Sequence, residues 1–220
     1  MIGNALGVVL SRRDQGECDR VCSIVTEDLG KIAVRFSGVR RSAGKLKALA
    51  EPAVWGEYRL HFSPRSEFAK CVGGSIVSTF PGLRADLART TAALYCCELL
   101  DRLTPEHAPC PDKYRLLCAT LTALEEFPSR WLSLSFGLRL MELAGFSLRE
   151  HPPRDAASVW EALHGDEPSD LVRLPFDRTA AAQARSLLES HFEIQTGRPL
   201  QTAQFRESLR AAPRREGVTA

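Results

Sequence analysis

The sequence has no long apolar run and no leader-like segment at its amino terminus. None of its apolar stretches approaches the ~20 residues that a membrane-spanning helix needs. No charged segment followed by a long apolar core, the pattern of a secretory signal, opens the chain. We therefore expect a cytoplasmic chain that does not enter a membrane. Its 220 residues, 44% of them apolar, suffice for one large or two small domains.

Sequence motifs of catalysis are also missing. There is no G-x-x-x-x-G-K-[ST] phosphate loop, no G-x-S-x-G nucleophile elbow and no H-E-x-x-H metal motif. Glu125, Glu126 and Asp155 do not form a recognisable nuclease pattern, and we interpret them as helix surface or caps. The sequence therefore predicts no enzymatic activity, no catalytic residue and no cofactor.

One segment lacks acidic residues altogether. Residues 30–47 contain six Lys or Arg and no Asp or Glu. Apolar residues alternate along 31–36, which predicts a strand that turns Lys31 and Arg35 outward. Long cationic side chains beside Gly and Ser are typical of a surface that follows a flexible polyanion. The candidate nucleic-acid contacts are Lys31, Arg35, Arg40, Arg41, Lys45 and Lys47, with Arg12 and Arg13 as second choices.

A basic run can also be an ordinary solvated surface, and that alternative stays open. The distribution of charge favours a ligand, because residues 1–80 hold twelve Lys or Arg against eight Asp or Glu, although the whole chain is only +2. Arg20, within Glu17-x-Asp19-Arg20, is expected to form a structural ion pair instead.

The period of the apolar residues changes near residue 80. Before it, five short segments have strand character: 5–10, 20–26, 31–36, 58–62 and 70–78. Five such strands favour a small closed barrel. After Pro81 the apolar residues recur at spacings of three and four, which predicts helices. The segment 131–146 is apolar nearly all round and should be the central helix. We therefore predict an α+β protein with domains at 1–80 and 81–220.

Several short motifs follow one another in a fixed order and carry a resemblance to a known family. They are Gly7-Val-Val-Leu10, Gly16-Glu-Cys-Asp-Arg-Val21, Thr26-Glu-Asp-Leu-Gly-Lys31, Gly38-Val-Arg-Arg-Ser42, Leu49-Ala-Glu-Pro52, Phe80-Pro-Gly-Leu-Arg84, Glu98-Leu-Leu-Asp-Arg102 and Phe136-Gly-Leu-Arg-Leu-Met-Glu-Leu-Ala-Gly145. Taken together, the chain resembles the RecO family of bacterial recombination mediators. The resemblance implies that the predicted barrel is an OB-fold and that the second half is all-helical.

The resemblance also implies a function and partners. RecO-like proteins bind single-stranded and double-stranded DNA, anneal complementary strands, and with RecR help RecA to replace single-stranded DNA-binding protein on gaps. We accordingly expect a DNA-repair protein at the nucleoid, with RecA as an indirect partner. A helical adaptor that acts only through protein contacts is the alternative.

The same resemblance implies that the helical half binds the carboxy-terminal tail of single-stranded DNA-binding protein. A tail that ends in a carboxylate needs a cation beside an apolar pocket. The candidates are Arg130, Leu134, Phe136 and Arg139. The apolar members of this set could equally be core residues.

Many members of that family carry a four-cysteine zinc module after the segment that matches 136–145. Here residues 146–174 contain no cysteine, and His151 and His164 cannot supply four ligands alone. We therefore predict a lost or degenerate module at about 147–175, no metal, and seven reduced thiols.

Overall fold

Alternating apolar side chains shape the amino-terminal strands into a closed barrel. The computed structural model describes residues 1–41, 46–127, 130–165 and 167–211. The strands are β1 (Ile2–Gln15), β2 (Asp19–Thr26), β3 (Gly30–Phe36), β4 (Trp55–His61) and β5 (Ala69–Ser78). They close in the order β1-β2-β3-β5-β4, with β4 pairing back to β1. This arrangement is an OB-type barrel, so the predicted five-stranded barrel is confirmed.

The first strand is longer than its apolar pattern predicts. Its first half pairs with β4 and its second half with β2, and the register shifts between Val9 and Ser11. Such an irregularity bends a strand so that it can serve both sides of a barrel. The second half is polar and exposed, which is why alternation alone placed the end of the strand at Leu10.

The barrel interior is filled by the inward-pointing side chains of its strands. Val9, Ile24, Ile32, Val34 and Phe36 are at most 2% exposed. The Phe36 ring meets the ring of Tyr58 edge-on, with centroids 6.3 Å apart. A short 3-10 turn, Ala48–Ala50, covers one end of this layer with Leu49 and Ala50.

Eight α-helices follow within the described ranges. They are α1 (Pro81–Arg84), α2 (Leu87–Leu103), α3 (Pro111–Glu126), α4 (Leu132–Leu143), α5 (Ala157–Gly165), α6 (Pro168–Leu171), α7 (Arg178–Thr196) and α8 (Gln201–Ala211). Every residue of α4 from Leu132 to Leu138 is buried, which confirms the predicted central helix. No described helix has the length and apolar character to span a membrane.

The barrel and the helices share one buried cluster. Val8, Leu10 and Val25 point out of the barrel into the helical core, which reaches them through α2. At the edge of this contact the carboxylate of Asp101 accepts hydrogen bonds from Ser11 Oγ at 2.8 Å and Ser23 Oγ at 2.6 Å. The division into domains at residue 80 stays a prediction, although the strands end and the helices begin there.

Candidate nucleic-acid interface

A row of outward side chains crosses four strands of the barrel. Arg13 on β1 is paired with Val21 on β2, Val21 with Arg35 on β3, and Arg35 with Lys70 on β5. Paired residues of neighbouring strands project from the same face, so the three cations lie in one row around the barrel wall, with the buried Val21 between Arg13 and Arg35. Arg13, Arg35 and Lys70 are all exposed. We call these three residues the cationic row.

One member of the cationic row is partly neutralised. Arg35 Nε donates to Asp19 Oδ2 at 2.8 Å, and the backbone N–H of Gly38 donates to Asp19 Oδ1 at 2.8 Å. These bonds, led by the one from Gly38, lower the pKa of Asp19, so it stays ionised. Arg13 and Lys70 pair with no carboxylate among the described residues. They are therefore the stronger cations of the row.

More cations gather where β1 turns into β2. Arg40 lies 3.3 Å from Asp14 and donates to the carbonyl of Gly16 at 3.0 Å. Arg41 is exposed, with Nε 3.4 Å from the Cys18 sulfur. Lys47, also exposed, precedes the 3-10 turn. We call Arg40 and Arg41 the turn cluster and count Lys47 apart from it. Lys45, predicted to belong with them, lies outside the described residues.

Other predicted contacts are used within the fold. Lys31 does point out of the barrel, but its ammonium lies against α2, 3.5 Å from Asp101 Oδ1, and its side chain is only 13% exposed. Arg12 forms an ion pair with Glu51. Arg20 is buried between Glu51 at 2.8 Å and Asp14 at 3.2 Å, which confirms its predicted structural role. Lys31 and Arg12 therefore offer less to a ligand than the cationic row.

An aromatic side chain that sequence reasoning passed over lies against the cationic row. The ring of Phe68, in the loop between β4 and β5, is 5.6 Å from the guanidinium carbon of Arg13. Lys70 was also missed, although its place in an alternating strand beside buried Ala69 and Cys71 indicates an outward side chain. The indole of Trp55, on β4, points away from this row and donates to Tyr114 Oη at 3.0 Å, at the contact with the helices.

The predicted partner-binding set separates into core and surface. Leu134 and Phe136 are 0% and 1% exposed, so a ligand does not reach them, and they act as packing residues of α4. Arg130 is exposed and lies over the ring of Phe176 at 4.9 Å. Arg139, nine residues further along and within α4, lines a different surface.

That surface is a groove of about 490 Å³ between α3, α4 and the α5–α6 segment. Arg115, Arg139 and Arg149 lie along it, with Leu116 and Leu143 as apolar neighbours. Asp112, Glu142 and Glu167 share the lining. Arg149 is tied to Glu142 and to Glu161, at 3.6 and 3.0 Å. The groove thus offers three guanidinium groups beside two apolar side chains, and its three carboxylates match those cations in number.

The segment predicted to have lost a zinc module is held by packing. Trp160 and Leu163 of α5 are at most 1% exposed, and the Trp160 indole donates to the carbonyl of Arg149 at 3.0 Å. Nowhere in the described ranges do three His, Cys, Asp or Glu side chains converge as a metal site requires. His151 and His164 lack thiolate partners nearby, so the donor set does not fit tetrahedral zinc.

An OB-type barrel with an outward cationic row, joined to a helical bundle, defines an architecture rather than an activity. Comparison with known proteins is more specific. The profile described as "Recombination protein O N terminal" matches residues 1–80, and the one described as "Recombination protein O C terminal" matches residues 84–151. The chain belongs to the RecO family.

Individual relatives agree with this assignment. DNA repair protein RecO of Anaeromyxobacter dehalogenans (strain 2CP-C) is 30% identical over 219 residues, which cover 93% of this chain and 86% of the relative. The proteins of the same name from Bifidobacterium animalis subsp. lactis and Pelobacter propionicus are 37% and 33% identical over 64% and 63% of this chain. In those two alignments the chain spans only 60% and 56% of the relative's length.

Proposed function

We propose that this chain is a recombination mediator in DNA repair and does not act as an enzyme. It binds single-stranded and double-stranded DNA without sequence preference and anneals complementary strands coated by single-stranded DNA-binding protein. With RecR, it promotes the loading of RecA at gaps. Its place of work is the cytoplasm, at the nucleoid. Family membership supports this proposal, and the cationic row is the observation on which its DNA-binding part depends.

The charge pattern suits sequence-independent contact with phosphates. The cationic row and the turn cluster lie on the barrel wall and at its β1–β2 end. Cations that neutralise phosphates supply affinity that does not depend on base sequence, and they screen the repulsion between two strands that must meet. Asp14, Asp19 and Glu51 stand among these cations and reduce the local charge. We therefore expect moderate affinity with a strong salt dependence.

The groove beside α4 is the proposed docking site for the tail of single-stranded DNA-binding protein. Of the residues predicted for that role, Arg139 lines the groove, and Arg115 and Arg149 join it. A terminal carboxylate would meet one of these guanidinium groups while an apolar side chain contacts Leu116 or Leu143. Arg130 lies apart, so we assign it no contact with the tail. We assign no residue to RecR.

The experiment that tests the DNA-binding proposal compares two matched variants. In the first, Arg13, Arg41, Lys47 and Lys70 become Ala; these four side chains pair with no carboxylate among the described residues, so the barrel should keep its fold. In the second, four exposed arginines of the helical half, Arg154, Arg173, Arg178 and Arg198, become Ala. Both variants lose the same net charge.

Binding to an oligonucleotide is measured over a range of salt concentrations, together with the annealing of strands precoated with single-stranded DNA-binding protein. Each lost phosphate contact should reduce the magnitude of the slope of log K against log salt by ~0.7. For the first variant, with four cations removed from the barrel, the slope should therefore be smaller by ~3 than for the wild type. This variant should also anneal slowly, whereas the helical-half variant should behave like the wild type. Equal slopes in the two variants would remove the cationic row from the proposal. A wild type that binds no DNA even at low salt would instead favour the adaptor alternative.

A further inference from the structure

A hollow of about 220 Å³ opens beside the cationic row and is not used by the proposed phosphate contacts. It lies between β3, the loop from β4 to β5 and the loop from α2 to α3. Phe62, Phe68 and His107 contribute rings to its lining, and Ser63, Ser66 and Glu67 contribute polar groups. Its volume suits one planar ring system rather than a length of chain.

The hollow exists because β3 and β5 touch over only a short stretch. Their parallel pairing is limited to Val34 with Ala69 and Arg35 with Lys70. At the other end of β3 the loop after α2 lies along the edge of the strand, and the backbone N–H of His107 donates to the Lys31 carbonyl at 2.8 Å. The space between these two contacts is left to side chains.

Local hydrogen bonds hold the walls in place. Ser66 Oγ donates to the Phe68 carbonyl at 2.9 Å and accepts from the Phe68 N–H at 3.2 Å. The Ser66 N–H in turn donates to the Ser63 carbonyl at 3.1 Å. His107 is held at φ 58°, a left-handed conformation that is uncommon for a residue other than Gly. The backbone that carries Phe68 and His107 is therefore set before any ligand arrives.

The surroundings of the hollow point to a nucleobase as the ligand. The Arg13 guanidinium lies over the Phe68 ring, and Arg35 and Lys70 follow along the same row. Aromatic rings beside a cationic track are how single-stranded nucleic acids are held, because every base has a flat face that can stack. Glu67 is an acceptor for the exocyclic amino group of cytosine, adenine or guanine.

We propose that this hollow receives one unstacked base of single-stranded nucleic acid, packed against Phe68, while the neighbouring phosphates lie along Arg13, Arg35 and Lys70. The inference rests on the proposed function and adds a base-binding subsite to it. A base within a duplex is stacked on both faces and cannot enter, so the subsite favours single strands over duplex. Phosphate contacts alone make no such distinction.

The test uses the full chain, a Phe68→Ala variant and three ligands. The ligands are a cytosine-rich single strand, a strand of the same length with abasic sites at its centre, and a duplex. Loss of the stacking partner should weaken binding to the intact strand by about 5- to 100-fold. Binding to the abasic strand and to the duplex should change by less than about 2-fold, since their phosphates still meet the cationic row. Phe205→Ala, on exposed α8, is the matched control and should leave all three affinities unchanged.

A Phe68→Trp variant supplies a fluorescence measurement that does not depend on whether the Ala variant folds well. Its added fluorescence, relative to the wild type, should be quenched by the intact strand and not by the abasic strand. Equal quenching by both strands, or equal losses of affinity by Phe68→Ala for all three ligands, would overturn the base subsite and leave Phe68 as a support for Arg13. If the wild type binds none of the ligands, the proposed function itself fails, and the two failures are distinguishable.

Discussion

Replacement of Asp101 by Ala should loosen the contact between the barrel and the helices. Its carboxylate, 23% exposed, accepts hydrogen bonds from Ser11 and Ser23 and attracts the ammonium of Lys31 at 3.5 Å. The Lys31 ammonium also donates to the Asp101 backbone carbonyl, a bond that the substitution leaves possible. The substitution removes two hydrogen bonds to a charged acceptor and leaves the largely buried Lys31 ammonium with weaker compensation.

The magnitude follows from these contacts. A hydrogen bond to a charged group is worth ~1.5–3 kcal/mol, and two bonds to one carboxylate are not fully additive, so we estimate a loss of about 3 kcal/mol. At ~2–4 °C per kcal/mol for a chain of this size, Tm should fall by about 6–12 °C. Asp101→Asn, which retains the shape and one acceptor, should lose about half as much.

Thermal and urea unfolding followed by circular dichroism measure the effect. Asp112→Ala is the control, because the Asp112 side chain is 68% exposed and its ion pair with Arg115 lies on a helix surface. Such a pair is worth less than ~1 kcal/mol. If Asp101→Ala were no more destabilising than Asp112→Ala, the hydrogen bonds to Asp101 would not hold the two halves together.

Three further predictions concern stability and reactivity. Gly30→Ala should destabilise the fold far more than Gly16→Ala in urea unfolding, because a Cβ at Gly30 would lie 2.1 Å from a backbone oxygen of the α2–α3 loop. Both glycines have positive φ, but nothing lies within 4 Å of the corresponding Cβ at Gly16. In native alkylation at pH 8 followed by peptide mass spectrometry, the half-buried Cys18 should react before Cys22, whose pKa burial raises to about 12; simultaneous labelling would contradict this order. Burial lowers the pKa of His164, so this imidazole binds a proton more readily in the unfolded chain than in the folded one, and the free energy of unfolding should decrease as pH falls below ~6.5. Urea titrations at pH 5.5 and 7.5 should show a smaller change in the free energy of unfolding for His164→Gln than for the wild type.

The sequence predicts the fold well where periodicity is clean. All five strands and the all-round apolar helix α4 were expected, because their side chains are buried in patterns of period two or on every face. The spacing of apolar residues is a poorer guide at the start of α2, where Leu87 is 61% exposed. The buried side of α2 also includes Tyr95 and Leu99, since the barrel and the other helices contact it from different directions. Periodicity along one helix does not reveal a second packing partner.

The candidate site was less predictable, because it depends on pairing between distant strands. Lys31 and Arg35 have the same local pattern, yet α2 covers the first and leaves the second exposed. The place of Lys70 next to Arg35 follows from a parallel pairing of β3 with β5 that no local motif encodes. Phe68 lies in a loop, where alternation says nothing about direction.

The cationic row also limits how much DNA one molecule can hold. From β1 through β2 and β3 to β5 there are three steps between strands, which span ~14 Å at about 4.8 Å each. At ~3.4 Å of helix axis for each nucleotide of a duplex strand, that distance matches about four nucleotides. On the side of the row where the helices pack, α2 covers the barrel wall near Ser23 and Val25. Long stretches of single strand would then be covered by many molecules in succession, each with a short footprint.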